Sequence, residues 1–277
     1  STGGSIAFAM ECFEKGILTE ADTGGLALKW GDAEVVLALI EKIARREGFG
    51  DFLAQGVKRM ADELGPETAA FANHVKGQEV PYQEPRLNHG LGLGFAVSPT
   101  GADHQHSLME SSYTSDTGSL AQLGILEPVT ITGLGPEKVR MAIYYVDQMV
   151  LYNSIGLCQF FPYSISHVVQ GVNGITGWST TAWELLKGAE RVLAMARTYN
   201  MLEGFTAEDD VLPERLYTGY PKGPCLGGPI DRQELEDARS TYYEMLGLDA
   251  ETGLPRSAKL HELNIGWVSE KLGQITQ

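Results

Sequence analysis

Cysteine is scarce in this chain: Cys12, Cys158 and Cys225 are the only three in 277 residues. So thin and odd a count makes no disulfide framework, and it fits a reducing, cytoplasmic compartment. Basic residues are also in short supply, 21 Lys and Arg against 36 Asp and Glu, for a net charge of -15. No cluster of Lys or Arg is present to neutralise a phosphate backbone, which excludes nucleic acid as a partner. No basic amphipathic face offers itself to anionic lipid, and no apolar run approaches the roughly 20 residues that span a bilayer. The opening Ser1-Thr2-Gly3-Gly4-Ser5 lacks both an initiator Met and the basic, apolar pattern of a signal peptide, so the chain reads as a piece of something longer. What is there is the composition of an ordinary soluble globular protein, 43% apolar and 21% charged, long enough for one large core or two modest ones.

The periodicity is helical from the start. Ile6, Ala9, Met10 and Phe13 mark a first amphipathic helix that stops at Gly16. A second is predicted from Asp32 as N-cap, with Val36, Leu39, Ile40 and Ile43 on one face and Gly48 as its stop. A third, capped by Asp51, carries Leu53, Val57, Met60 and Leu64 as far as Gly65-Pro66, and a short helix follows from Glu67 to about His74. The tight link between the second and third predicts an antiparallel pair. From Lys76 to Arg86 the texture becomes extended, because Pro81 and Pro85 disfavour helix at the residues before them. This places a domain boundary near residue 75, giving units 1–75 and 76–277.

Gly90, Gly92 and Gly94 alternate in the next run, where a backbone, another helix or a flat ligand can come close. As a nucleotide loop the run is weak, since no strand precedes it. The Ser, Thr and Gly-rich stretch 111–133 reads as a loop, a candidate lid over a cavity. Pro136 then opens a long helix, with Val139, Ala142, Ile143, Val146 and Val150 as its buried stripe and Gly156 as its left-handed end. Leu157 and Cys158 project from the chain reversal that follows. Phe160, Phe161 and Tyr163 form an aromatic group that either packs a core or walls an apolar pocket. Thr181 and Glu184 have the spacing of a capping box for a helix near 181–200, with Leu185, Ala189, Val192, Ala196 and Tyr199 as its stripe. Thr206 is a further N-cap. Asp231 and Glu234 cap a helix to about Leu246, after a Gly and Pro-rich loop over 218–229 that contains Cys225.

Chemistry-bearing residues gather in two places. Asp103, His104, His106 and Glu110 are the densest set of potential metal ligands, and His104 with His106 would suit a mononuclear zinc hydrolase. His-x-His is also common as a surface or core pair. Cys158 is either a small buried hydrophobe or a thiolate ligand. His74, His89, His167 and His261 stand alone and point to nothing.

The stretch Asn153-Ser154-Ile155-Gly156-Leu157-Cys158 resembles the glycine-leucine-cysteine motif of the tungsten-containing aldehyde ferredoxin oxidoreductases. The likeness extends over nearly all of the chain. In that family an acidic residue three positions before the glycine helps to hold a pterin, and the cysteine ligates a [4Fe-4S] cluster whose other cysteines lie far upstream. The Ser1–Gly4 run resembles the segment directly after the family's first pterin motif. Glu84-Pro85-Arg86-Leu87 is a softer match to its Asp-Pro-Arg-Gly, and Gly101-Ala102-Asp103-His104 matches the run that carries the active-site histidine.

The resemblance implies a mainly α, multi-helical fold made of the end of the family's second domain and its third domain. It implies a tungsten or molybdenum bis-pterin and a [4Fe-4S] cluster in the full-length protein, neither expected in this fragment alone. The activity implied is oxidation of an aldehyde to a carboxylic acid with ferredoxin as electron acceptor. A missing N-terminal domain of the same protein is the expected partner, and homo-oligomerisation stays open. His104 takes the place of the catalytic histidine; Asn153, Gly156, Leu157 and Cys158 take the cofactor-binding positions, with Cys158 as metal ligand. Asn153 departs from the family's acid, because an amide offers an acceptor without charge. That departure and the softer Pro-Arg match keep open a family member acting on another substrate, such as an aromatic acyl-CoA thioester. A non-catalytic helical interaction module is the alternative from another class.

Overall fold

The computed structural model describes residues 1–220 and 228–273. They form a mainly α structure whose one sheet among the described residues is a two-stranded hairpin. The first unit of the chain packs around α1 (Thr2–Glu14), which buries Ile6, Phe8, Ala9, Met10 and Cys12. Asp32 caps α2 (Ala33–Arg45) as expected, its carboxylate accepting from the Val35 N–H at 3.2 Å. The helix ends earlier than Gly48, at Arg46, which adopts a left-handed φ of 58° and pairs with Asp51 at 2.7 Å.

The single third helix is in fact two, α3 (Phe49–Leu53) and α4 (Val57–Leu64). Gly56, at φ 87°, breaks the run, and the Val57 N–H it exposes donates to Glu79 Oε1 at 2.7 Å. Asp51 therefore lies inside a helix, and the cap of α4 comes from 22 residues further on. The short helix after Pro66 is a 3-10 turn, Pro66–Phe71. β1 (His74–Val75) and β2 (Gln78–Glu79) then pair antiparallel across Lys76-Gly77, both with positive φ (51° and 84°), as a tight hairpin turn requires.

The glycine-rich run forms α5 (His89–Val97), buried along its whole length. A Cβ on Gly94 would lie 2.5 Å from the Ser107 Cβ, and one on Gly92 2.6 Å from Ile230 Cδ1. The alternating glycines thus admit the protein's own segments rather than a flat ligand. Next comes α6 (Pro136–Ile155), the central strut of the fold. Val139 and Ile143 pack with α5, Met141 and Ala142 with the 108–129 segment, and Val146 and Val150 with later helices. All five residues of the expected stripe are buried, and so are seven others, as befits a helix with protein on several sides.

α7 (Ile165–Thr176) is not evident from sequence spacing alone. Its capping box uses His167 in place of Glu or Gln: Ser164 Oγ accepts from the His167 N–H, and His167 Nδ1 accepts from the Ser164 N–H. α8 (Ala182–Leu202) starts at Thr181 as expected, but its buried face is Ala189, Ala194, Thr198 and Met201. Val192 and Tyr199, assigned to the stripe by spacing, are 40% and 63% exposed. Asp231 caps α9 (Arg232–Met245), and Glu234 Oε1 accepts from the Leu134 N–H just before α6. α10 (Ser257–Glu262) and α11 (Val268–Leu272) close the chain against α8. Cys225 lies outside the described residues. No helix among the described residues is long and apolar enough to cross a membrane.

Candidate functional site

The end of α6 positions the first candidate group. Gly156 takes a left-handed φ of 73°, and the Leu157 N–H reaches back to the Tyr152 carbonyl at 2.8 Å, closing the last turn. Any side chain at residue 156 would strain that conformation, although the space around it is open. The reversal leaves Cys158 exposed while Leu157 packs under the helix end. Cys12 contrasts with it, being buried, with a thiol pushed up to about 11 chiefly by desolvation. Of these two, only Cys158 presents a sulfur that an outside group could reach.

Beside this reversal lies a cavity of about 810 Å³. Tyr152, Phe160, Phe161 and Tyr163 line it near Cys158, with Tyr113 and Tyr145 from elsewhere. The rings pack as a set, Phe161 stacked on Tyr163 at 5.7 Å and Tyr113 edge-on to Tyr145 at 6.1 Å. Gln148 Nε2 donates to the Tyr152 hydroxyl at 2.6 Å, and that hydroxyl donates to the Tyr163 carbonyl. Desolvation pushes the Tyr145 hydroxyl up to about 12 and raises Tyr113 as well, so both stay protonated at neutral pH. The aromatic group after Cys158 is therefore a cavity wall. No Lys, Arg, Asp or Glu lines the cavity among the described residues.

His104 sits in the 3-10 turn His104–His106 and lines this cavity and also a neighbouring one of about 440 Å³ beside α1. Its ring nitrogens have no hydrogen-bond partner among the described residues. His106, two residues on, turns the other way. Its Nδ1 lies 2.7 Å from Asp103 Oδ2, and its Nε2 accepts from Asn153 Nδ2 at 2.9 Å. The amide donor at Nε2 places the ring proton on Nδ1, facing the carboxylate. That hydrogen bond is the largest influence holding Asp103 below the ordinary carboxylate range. The Asp103–His106–Asn153 chain thus ties the His104 turn to the end of α6. Among the described residues it leaves the Asn153 amide oxygen unused.

Glu110 does not join the histidines. It is fully buried, accepting from Lys138 Nζ at 3.0 Å and from the Gly90 N–H. Among the described residues no three His, Cys, Asp or Glu side chains converge as a metal site, so the zinc arrangement has no donor set there. The sequence-derived site is thereby divided: His104 lines the cavity, Cys158 directly precedes its wall at Gln159, Asn153 joins the His104 and Cys158 segments, and Glu110 is structural. His106 was singled out by sequence only as a metal ligand, not for its bonds to Asp103 and Asn153, and the tyrosines Tyr113, Tyr145 and Tyr152 were not singled out at all. Tyr145 and Tyr152, two turns apart on one face of α6, were the available signal.

The family model "Aldehyde ferredoxin oxidoreductase, domains 2 & 3" matches residues 1–265. The tungsten-containing aldehyde ferredoxin oxidoreductase of Pyrococcus furiosus is 34% identical over 270 residues, covering 96% of this chain and 42% of that protein. The Thermococcus kodakarensis protein of the same name is also 34% identical, over 271 residues, with the same coverage. The aliphatic sulfonate oxidoreductase WOR-like subunit of Pyrococcus furiosus is 28% identical, over 99% of this chain and 41% of that protein. The chain therefore spans about two fifths of the length of these relatives. Among solved structures, the active-site complex of benzoyl coenzyme A reductase with 1,5-dienoyl-CoA matches with a TM-score of 0.67 at 21% identity, over 96% of this chain and 44% of that one, which is a likeness of fold.

Proposed function

The chain belongs to the aldehyde ferredoxin oxidoreductase family, and from that premise we propose that it forms one side of the active-site cavity of a tungsten pterin enzyme oxidising aldehydes. The reaction takes an aldehyde and water to a carboxylic acid, releasing two electrons and two protons, with the electrons passing to ferredoxin. The observation that carries this reading is the exposed Cys158 beside an uncharged aromatic cavity that also holds His104.

The residues present fit the groups the family implies. Cys158 presents a free sulfur from a rigid helix end, suited to ligate one iron of a [4Fe-4S] cluster, and a reducing cytoplasmic setting would keep it a thiol. Such a cluster takes four thiolates, so the others would come from the part of a relative-length protein that this chain does not represent, and the chain by itself would be inactive. Asn153 has an amide oxygen free to accept from a pterin N–H, with its orientation fixed by His106. Gly156 and Leu157 hold the reversal that sets both. When bound, the tungsten pterin centre would take up the two electrons of the oxidation. His104, at the junction of the two cavities, would hydrogen-bond the substrate carbonyl or carry the released proton. The boundary near residue 75 suits this arrangement, because the core of residues 6–72 is separate from the cores built on α6.

A family member acting on a coenzyme A thioester or a sulfonate would have to accommodate an anion. The cavity walls supplied by the described residues carry no Lys or Arg to meet one, which favours a neutral substrate.

The test uses the full-length protein produced with tungstate. Cys158→Ser is expected to lower bound iron and abolish the reduced-cluster spectrum while the far-UV circular dichroism is kept. A wild-type protein without iron, or unchanged iron in the variant, sinks the proposal. His104→Gln is expected to lower kcat on the order of a hundredfold with tungsten and iron content retained. Unchanged kcat would remove His104 from the mechanism.

A further inference from the structure

A third cavity, of about 430 Å³, lies on the other side of α6, lined from α8, α9, α10 and the segment around Leu123. Its volume falls in the range of small-molecule sites. Leu123, Ile143, Leu186 and Leu246 give it apolar walls. Into it faces Asp147, in the middle of α6 and only 6% exposed, whose Oδ1 has no hydrogen-bond partner. A buried carboxyl left without partners is costly, and native proteins seldom keep one without a use.

The neighbouring charges say what would satisfy it. Lys187 is held between Glu190 at 2.7 Å and Glu262 at 3.1 Å. Lys259 is held between the same two carboxylates, at 2.6 and 3.0 Å. Both cations at the rim are thus committed, and Asp147 is the one carboxylate in the group without a counter-ion among the described residues. With Asp147 ionised, three negative charges face two positive ones. A ligand carrying one positive charge balances the group, whereas a carboxylate ligand would set four against two. A bare metal ion would find too few convergent oxygens, since no metal-binding group of three is formed among the described residues.

We propose that this cavity is a binding site for an organic ammonium ion with an apolar body, its charge met by Asp147 and its alkyl or aryl part by the leucines and Ile143. The site adjoins the larger cavity at Gln122, which lines both, and does not depend on the oxidoreductase reading. The titratable groups facing Asp147 are Glu190 and Lys187 from α8, Lys259 from α10 and Tyr242 from α9. Burial first, then Glu190, pushes Asp147 up to about 8, so ammonium binding is expected to weaken as pH falls below about 8.

The test is calorimetric titration of the intact protein with 2-phenylethylammonium, against its neutral isostere 2-phenylethanol and the anion phenylacetate. The ammonium ion is expected to bind, its isostere and the anion are not, and Asp147→Asn is expected to weaken binding about ten- to hundredfold, the worth of a charge-assisted hydrogen bond. Ala182→Phe, which fills the cavity from its rim at the first residue of α8, is expected to abolish binding and serves as a second variant should the Asn variant fold poorly. No binding by the wild type, equal binding by Asp147→Asn, or preference for phenylacetate overturns the proposal.

Discussion

Replacing Asp210 with alanine is expected to cost about 3–5 kcal/mol or more of folding stability, enough to consume much of the margin of an ordinary domain. Asp210 is only 2% exposed and joins four parts of the chain. Its Oδ1 meets Lys76 Nζ at 2.6 Å, from the hairpin turn, and its Oδ2 meets Arg197 at 2.8 Å, from α8. The Tyr243 hydroxyl, from α9, donates to the same oxygen. Arg197 also donates from Nε to the Gly253 carbonyl at 2.6 Å. Alanine would leave the ammonium of Lys76 and the guanidinium of Arg197 buried without their anion, and an uncompensated buried charge costs far more than a solvated pair contributes. The direction of Lys76 agrees with this: burial already lowers its ammonium below the usual lysine range, against the pull of Asp210. Asp210→Asn keeps the shape and one acceptor, so its loss should be smaller. Urea unfolding followed by circular dichroism measures both. A loss for alanine within about 1 kcal/mol, the scale of a surface pair, would show that the hub is solvated and not as drawn.

What sequence made legible here was local. Asp32, Thr181 and Asp231 cap their helices where spacing put them, because capping is settled within three residues of the cap itself. Pro136 and Gly156 bound α6 for the same reason. Where a partner is remote, spacing failed. Gly56 breaks α3 from α4 because Glu79 takes over the Val57 N–H, and nothing near residue 56 announces that. The stripe on α8 was misphased because Tyr199 and Val192 are apolar by type but face solvent. Polar residues inside apolar helices were the hardest: Asp147 reads as an ordinary solvated position until the surrounding helices are in place.

The site followed the same rule. Cys158 and His104 were singled out through family motifs; His104 lines the cavity, and the segment that follows Cys158 lines it from Gln159 onward. The hydrogen bond from Asn153 to His106 was not, because it joins residues 47 apart. It also gives the amide a physical reason. An acid at this position would face His106, which already has Asp103 on its other nitrogen, and would favour a charged ring between two carboxylates. An amide donates to the ring nitrogen and keeps its own oxygen as an acceptor.

Asp147→Asn is expected to stabilise the protein at neutral pH, by an amount that depends on pH. The folded-state carboxyl sits at about 8 against an ordinary value of 3.8, so folding is penalised wherever the unfolded chain would ionise the group and the folded one resists. That penalty is absent below about 3.8, grows as pH rises, and levels off above about 8. At pH 7 the linkage amounts to on the order of 4 kcal/mol. Asparagine has the shape of the neutral acid and cannot ionise, so it removes this term while keeping the packing. Urea midpoints of the two proteins should nearly coincide near pH 4 and separate steadily toward pH 8, the variant being the more stable. Parallel curves across that range would mean that Asp147 ionises freely in the folded state, through solvent or an unseen partner, and would remove the counter-ion argument as well. If the curves do separate, the chain retains a carboxyl that weakens it by a large part of a typical domain's stability. Saturating 2-phenylethylammonium should then close part of the gap by binding the ionised wild type and not the variant.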